Sequence, residues 1–154
     1  MAGRIEQRLA ELGITLPAPA APIANYVPFA VTGNLVVVSG QIPLVDGKVA
    51  FTGKVGVDVT PERARDAARL CFVNLLAQLK AAAGDLDRVR RVLRLGGFIA
   101  APAAFTGHAG VMNGASDLAV EVFGDAGRHA RTTIGVPSLP ADAAVEVEGM
   151  FEIG

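Results

Sequence analysis

The run "VEVEGMFEI", residues 145–153, constrains the fold more than any other stretch. It sets Val145, Val147, Phe151 and Ile153 on one parity and Glu146, Glu148 and Glu152 on the other. Successive strand residues point to opposite faces, so this is a strand with one face against a core and the other in different surroundings. Just upstream, "HARTTIGV" is a second β-like run, joined to the first by a loop containing Pro137 and Pro140. It opens on Arg131. A charge on such a strand either faces water or does chemistry.

The preceding chain supplies what a one-sided sheet needs. "YVPFAVTGNLVVVSGQI" holds two apolar runs about Gly33-Asn34, a two-residue hairpin turn. The unbroken apolar stretch Leu35–Val38 predicts a strand covered on both faces. A further hairpin is expected around Asp46-Gly47, between "IPLV" and "KVAF". Thr60-Pro61-Glu62 then announces a helix, with Thr as N-cap, Pro in the first turn and an acid beside it. Ala64, Ala68, Cys71, Leu75, Leu79 and Ala82 recur at helical spacing until Gly84, and Phe72, Val73 and Leu76 broaden the apolar side. "RVRRVLRLGGFIA" reads as the next strand, with Val89, Leu93, Leu95 and Ile99 on one face. Gly96-Gly97 within it mark a bulge or a close backbone approach. A second helix is expected over 111–123. The order ββ(ββ)αβαββ is α+β, with helices on one face of a largely antiparallel or mixed sheet. The other face then needs a cover, which argues for a partner subunit.

Ahead of this domain, Ile5, Leu9 and Leu12 form one helical stripe ending at Gly13. The Pro- and Ala-rich "LPAPAAPIA" that follows is an extended tether. Residues 1–24 are accordingly read as helix and tether, and 25–154 as the α+β domain.

Composition narrows the partners. Hydrophobic residues make up 51% of the 154 and charged residues only 19%, which leaves little polar surface and again points to oligomerisation. The net charge of −1 gives no electrostatic reason to expect nucleic acid or an anionic membrane. A single cysteine suits a reducing compartment. The N-terminus has no apolar core of signal-peptide length, and no apolar run approaches the ~20 residues of a membrane span. A cytoplasmic protein is the expectation.

Most chemistry-bearing patterns fail. His108 and His129 have no Cys or carboxylate at ligand spacing, so no metal site is read. His108 reads as a loop residue, and His129 as a surface or site-lining one sharing a strand face with Arg131. Cys71 sits on an apolar helix stripe, where a thiol is a small hydrophobe. Ser39 lies at a strand end without a G-x-S-x-G context. The glycines form no phosphate loop. Arg88, Arg90, Arg91 and Arg94 have no interleaved aromatics to stack on bases, and read as a solvated strand end. Glu148 and Glu152 read as solvated. Glu146 differs if its strand pairs with the one opening on Arg131. An Arg and a carboxylate at neighbouring strand positions form either a plain ion pair or a site. In a site, the guanidinium fork binds a substrate carboxylate and Glu146 holds a water or shuttles a proton.

"VVVSGQIPL", the Gly33-Asn34 hairpin, "HARTTIGV" and "LPADAAVEVEGM" together resemble the YjgF-like reactive-intermediate deaminase (Rid) family, formerly called endoribonuclease L-PSP. The resemblance runs from about residue 25 to the end, with the motifs in order. It implies a chorismate-mutase-like mixed sheet of six strands with two helices on one face. It also implies a homotrimer with sites between subunits, and hydrolysis of 2-enamino and 2-imino acids to 2-oxo acids and ammonia without metal or cofactor. By position, Arg131 matches the arginine that grips the substrate carboxylate, and Glu146 the acid near the attacking water. Tyr26 matches a site tyrosine, Gly40 a glycine whose backbone contacts ligand, and Thr133 a position where several deaminases have cysteine. Asn113 is carried over from the helix region. The family's G-P-Y is here Ala24-Asn25-Tyr26, Pro28 replaces a frequent glutamine, and the N-terminal helix and tether are extra. These departures mark a divergent branch, whose alternative role is non-catalytic binding of a carboxylate metabolite. The ribonuclease label attached to some members finds no support in this charge and aromatic content.

Overall fold

The computed structural model describes all 154 residues. Helix α1 (Arg4–Glu11) is followed by strands β1 (Phe29–Thr32), β2 (Leu35–Gln41), β3 (Leu44–Val45) and β4 (Lys48–Val49). Then come α2 (Pro61–Ala83), β5 (Val89–Ala100), α3 (His108–Phe123), β6 (Ala130–Val136) and β7 (Val145–Ile153). The main sheet has the order β1-β2-β7-β5-β6, with β5 and β6 parallel and the other pairs antiparallel. It is a mixed α+β sheet of five strands. β3 and β4 form a separate ribbon, because the Asn74 side chain of α2 donates to the Ile42 and Leu44 carbonyls and holds the ribbon over the helix.

Local signals explain the elements. Gly33 turns the first hairpin with a φ of 55°, and Asp46-Gly47 turn the ribbon with φ of 51° and 77°. Thr60 Oγ1 accepts from the Arg63 N–H at 3.2 Å, and Gly84 ends α2 in the left-handed region. α2 and α3 cover one sheet face, burying Phe72, Leu75, Leu76, Met112, Leu118 and Phe151 among others in one continuous core. That core also contains Ile5 and Leu9 of α1.

α1 is tied down from a distance. Its N-cap, Gly3, has no side chain to offer, and Asp87 takes that role. The Asp87 carboxylate accepts from the N–H groups of Ile5 and Arg4, both at 2.8 Å. The Ile5 and then the Arg4 hydrogen bond hold this carboxyl below its ordinary value. The tie is therefore intact above the ordinary carboxylate range and is lost as pH falls through the depressed pKa. Asp87→Ala should leave the rest of the fold in place while amide exchange across residues 4–12 rises severalfold, and unchanged exchange there would contradict the assignment.

Four expectations need correction. The main sheet has five strands and not six, because β3 and β4 pair with each other apart from it. The face Val89, Leu93, Leu95, Ile99 is not continuous: register shifts at Val89/Arg91 and Val92/Arg94 put Val92 in the core and leave Leu93 half-buried. α3 starts at His108 and not at residue 111, so His108 is helical. Most consequentially, β7 does not pair with β6, because β5 lies between them.

The face away from the helices is uncovered by the chain itself. Ala30, Val37, Met150, Arg94 and Ala130 run across it as one cross-strand row. Val37 and Ile134 on this face are 37% and 47% exposed. The paired glycines of β5 permit close approach. A side chain at Gly96 would meet Glu148 on the open face, and one at Gly97 would run into Met112 of α3.

Candidate functional site

The six residues expected at a site fall into two groups. Tyr26, Gly40 and Glu146 line one small cavity of about 80 Å³, where β2 leaves the sheet and β7 enters it. Gly40 is small for a reason, since a Cβ there would lie 2.9 Å from the Glu146 carboxyl carbon. Arg131, Thr133 and Asn113 form the second group, at the outer edge strand β6 and the adjoining α3.

Within one chain these groups do not meet. Arg131 pairs in register with Leu95, whereas Glu146 pairs with Phe98, and the two lie on opposite sheet faces. Strand spacing and rise place their backbones roughly 14 Å apart. The neighbouring-strand ion pair considered from the sequence is therefore absent.

Arg131 is held by neutral oxygens. Its Nη1 donates to Asn113 Oδ1 at 2.8 Å and to Ser116 Oγ at 3.0 Å, and its Nη2 donates to the Ala109 carbonyl at 3.3 Å. Ser116 also lies 2.8 Å from His129 Nε2, while His129 Nδ1 donates to the Gly127 carbonyl at 2.6 Å. Burial, with the Arg131 charge adding, lowers the His129 pKa, although the Gly127 bond opposes this. A neutral His129 with its proton on Nδ1 accepts from the Ser116 hydroxyl, which leaves Ser116 Oγ to accept from Arg131. Arg131 takes part in none of the ion pairs of the molecule. Its Nε–H and one Nη2–H have no partner, and a guanidinium edge of this kind can accept a carboxylate through two parallel bonds. Thr133 follows two residues on, its Oγ1 buried without a hydrogen-bond partner.

Ser116 was not singled out from the sequence. It stands one helical turn beyond Asn113, and that spacing was the available signal.

Glu146 is half-buried. Burial, and then the nearby Glu148 charge, raise its pKa. The folded protein therefore binds this proton more tightly than the unfolded chain does. The group's stability contribution is complete below the ordinary carboxylate pKa and is lost as pH rises through the folded one. Glu146→Gln removes that loss, so the variant should melt higher than wild type at pH 7. Solvent screening keeps the gain below ~1 kcal/mol. The difference should vanish below about pH 4, and thermal melts across pH read it directly.

The other residues weighed from the sequence sit elsewhere. Cys71 is fully buried and burial pushes its thiol up, as suits a core residue. Ser39 Oγ donates to the Val27 carbonyl at 2.8 Å. Arg88 and Arg91 donate to backbone carbonyls at the sheet end. His108 lines a larger cavity of about 740 Å³ with Phe105, Pro102 and Pro137. That cavity contains none of the six expected residues, and Lys54 in it pairs with Asp142. No group of three or more His, Cys, Asp or Glu side chains converges to hold a metal ion. No helix is long and apolar enough to cross a membrane.

A one-sided mixed sheet with two covering helices, an edge arginine without a counter-ion and a raised carboxyl beside a small glycine defines a scaffold for small-ligand chemistry. The chain belongs to the family described as "YjgF/chorismate mutase-like, putative endoribonuclease", whose model matches residues 6–152. It is 46% identical over 152 residues to protein TCP17 of Trypanosoma cruzi, covering 98% of this chain and 95% of that protein. Among solved structures, Atu1372 of Agrobacterium tumefaciens superimposes with a TM-score of 0.91 at 52% identity, covering 97% of this chain and 92% of that one. TdcF of E. coli, solved with bound serine, gives a TM-score of 0.64 at 26% identity over 92% and 97% of the two chains.

Proposed function

We propose that the protein is a homotrimeric deaminase of reactive 2-imino and 2-enamino acids, with each site shared by two protomers. The single observation carrying this reading is Arg131: a guanidinium on an edge strand, braced by Asn113 and Ser116, with no carboxylate of its own. Such a group is built to take a carboxylate from outside the chain. Because Glu146 lies on the other sheet face, the two act together only if Glu146 belongs to a neighbouring protomer. The uncovered sheet face, with Val37 and Ile134 exposed, supports that assembly.

The chemistry asks little of the protein. An imine carbon is already electrophilic, so orienting it against a water supplies much of the effect. Glu146, its pKa raised, accepts a proton from the attacking water. The water oxygen bonds to C2 as that proton passes on to nitrogen, giving a carbinolamine. Its remaining hydroxyl proton then moves to nitrogen through Glu146 as the C=O forms and the C–N bond breaks, so that ammonia leaves a 2-oxo acid. Tyr26 and Gly40 line the cavity in which Glu146 sits. The net charge of −1 gives no electrostatic reason to expect RNA as substrate.

A second reading is a non-catalytic binder of small carboxylates in the same cleft, favoured by the serine bound in TdcF. A coupled dehydratase assay separates the two. Catalysis requires that wild type accelerate ammonia release and that Arg131→Ala and Glu146→Gln both lose it. A protein that binds 2-oxo acids through Arg131 yet leaves the imine lifetime unchanged is the binder.

A further inference from the structure

The three groups that hold Arg131 are not held alike. The Ala109 carbonyl is fixed in the backbone of α3, and Asn113 meets the guanidinium directly. Ser116 is a hydroxyl that either donates or accepts, and rotation of its hydrogen decides which. His129 makes that choice. Its Nδ1 lies 2.6 Å from the Gly127 carbonyl, which only accepts, so Nδ1 carries the ring proton. Nε2 of the neutral ring is then an acceptor, and at 2.8 Å it takes the Ser116 hydrogen. The Ser116 lone pairs are left facing Arg131 Nη1, 3.0 Å away. Each donor from Arg131 through Ser116 and His129 to Gly127 thus points the same way, and bonds in such a chain polarise one another. The far end is rigid: Gly127 is buried against α3, where a Cβ would strike the Ala119 carbonyl. The surrounding charges are engaged elsewhere. Asp117 pairs with Arg65, Asp125 pairs with Arg128, and Arg91 donates to the Arg128 carbonyl, which leaves His129 no carboxylate to draw a second proton.

We infer that His129, acting through Ser116, is a positioning residue for the ligand carboxylate: it fixes the serine as an acceptor and thereby aims the open edge of the Arg131 guanidinium. With Ser116 turned the other way, its hydrogen would face the Nη1–H, donor against donor, and the guanidinium would have to move off. The inference rests on the function proposed above only in taking a carboxylate as the ligand of Arg131. His129 is given no contact with the reacting atoms.

The test follows 2-oxobutyrate binding by calorimetry beside hydrolysis of the imine that an amino-acid oxidase makes from 2-aminobutyrate. His129→Ala should weaken binding about fivefold or more, the loss that one neutral hydrogen bond accounts for. KM should rise by a similar factor and kcat change less, because the carboxylate is gripped in ground state and transition state alike. His129→Gln, whose amide oxygen reaches where Nε2 stood, should restore most of the affinity. His129→Asn satisfies Gly127 but falls short of Ser116, and should not. Ser116→Ala, on the half-buried side of α3, should match His129→Ala, and the two together should cost little more than either alone. NMR of the imidazole nitrogens should find the neutral His129 proton on Nδ1. Binding that needs Arg131 but is unchanged in Ser116→Ala and His129→Ala overturns the relay and leaves the proposed function standing. Additive losses in the double variant, or a ring proton on Nε2, do the same. Binding that depends on the relay without any hydrolysis supports the inference and removes the deaminase. A wild type that neither binds nor hydrolyses overturns both. Should His129→Ala fail to fold, Ser116→Ala and the Gln and Asn pair at 129 carry the same decision.

Discussion

Arg131→Ala should cost at least ~100-fold in kcat/KM for any 2-imino acid, with the melting temperature nearly unchanged. The magnitude follows from what is removed. Hydrogen bonds to a charged partner are worth about 1.5–3 kcal/mol each, and a side-on guanidinium makes two. The loss should appear whatever the substrate side chain, because the carboxylate is common to all of them. Arg131→Lys should recover only a small part. An ammonium keeps the charge but has no planar fork, and it cannot satisfy Asn113, Ser116 and a substrate together. Stability should hold because Arg131 is on an edge strand and pairs with no carboxylate whose charge its removal would strand. Steady-state kinetics beside thermal melts decide the matter. Retained activity in Arg131→Ala would remove the carboxylate grip on which the proposed function stands.

Gly114→Ala should be among the most damaging single methyl additions to the fold. Gly114 lies where α3 crosses α2, and a Cβ there would be driven into the backbone carbonyl of Arg65. Backbone cannot rotate aside as a side-chain end can, so the helices must separate and the Met112, Ala115 and Leu118 packing with them. Overpacking of this kind costs about 3 kcal/mol. At roughly 2–4 °C per kcal/mol for a chain of this size, the melting temperature should fall by about 6–12 °C. Gly110 in the same helix is the control, because nothing lies within 4 Å of a Cβ there. Gly110→Ala should be neutral or stabilise by up to ~1 kcal/mol through helix propensity. Comparable losses at both positions would mean that close helix packing is not what Gly114 provides.

The contrast between these glycines shows where sequence reading stops. Both occupy α3, and both look like weak points in a helical pattern. Only the partner helix distinguishes them. Asp87 is similar: it sits in a short turn before β5, and its acceptance of the Arg4 and Ile5 N–H groups spans more than eighty positions. The bulges of β5 belong here too, since a register shift moves an apolar set between faces without altering composition.

Period and punctuation were legible without coordinates. The alternation in 145–153, the Thr60-Pro61 start, the Gly84 stop and the Gly33 and Asp46-Gly47 turns are local choices, each decided within a few residues by backbone sterics and side-chain parity. They sufficed for an α+β sheet with one helical face, and for Arg131 and Glu146 as its chemically unusual charges. What only the tertiary structure decided was adjacency: that β5 stands between those two residues, that Ser116 and His129 brace the arginine, and that the tether walls the glutamate. Those relations join residues far apart in the chain through strand order and helix packing. No periodicity carries them, because the free energy that selects them belongs to the assembled core.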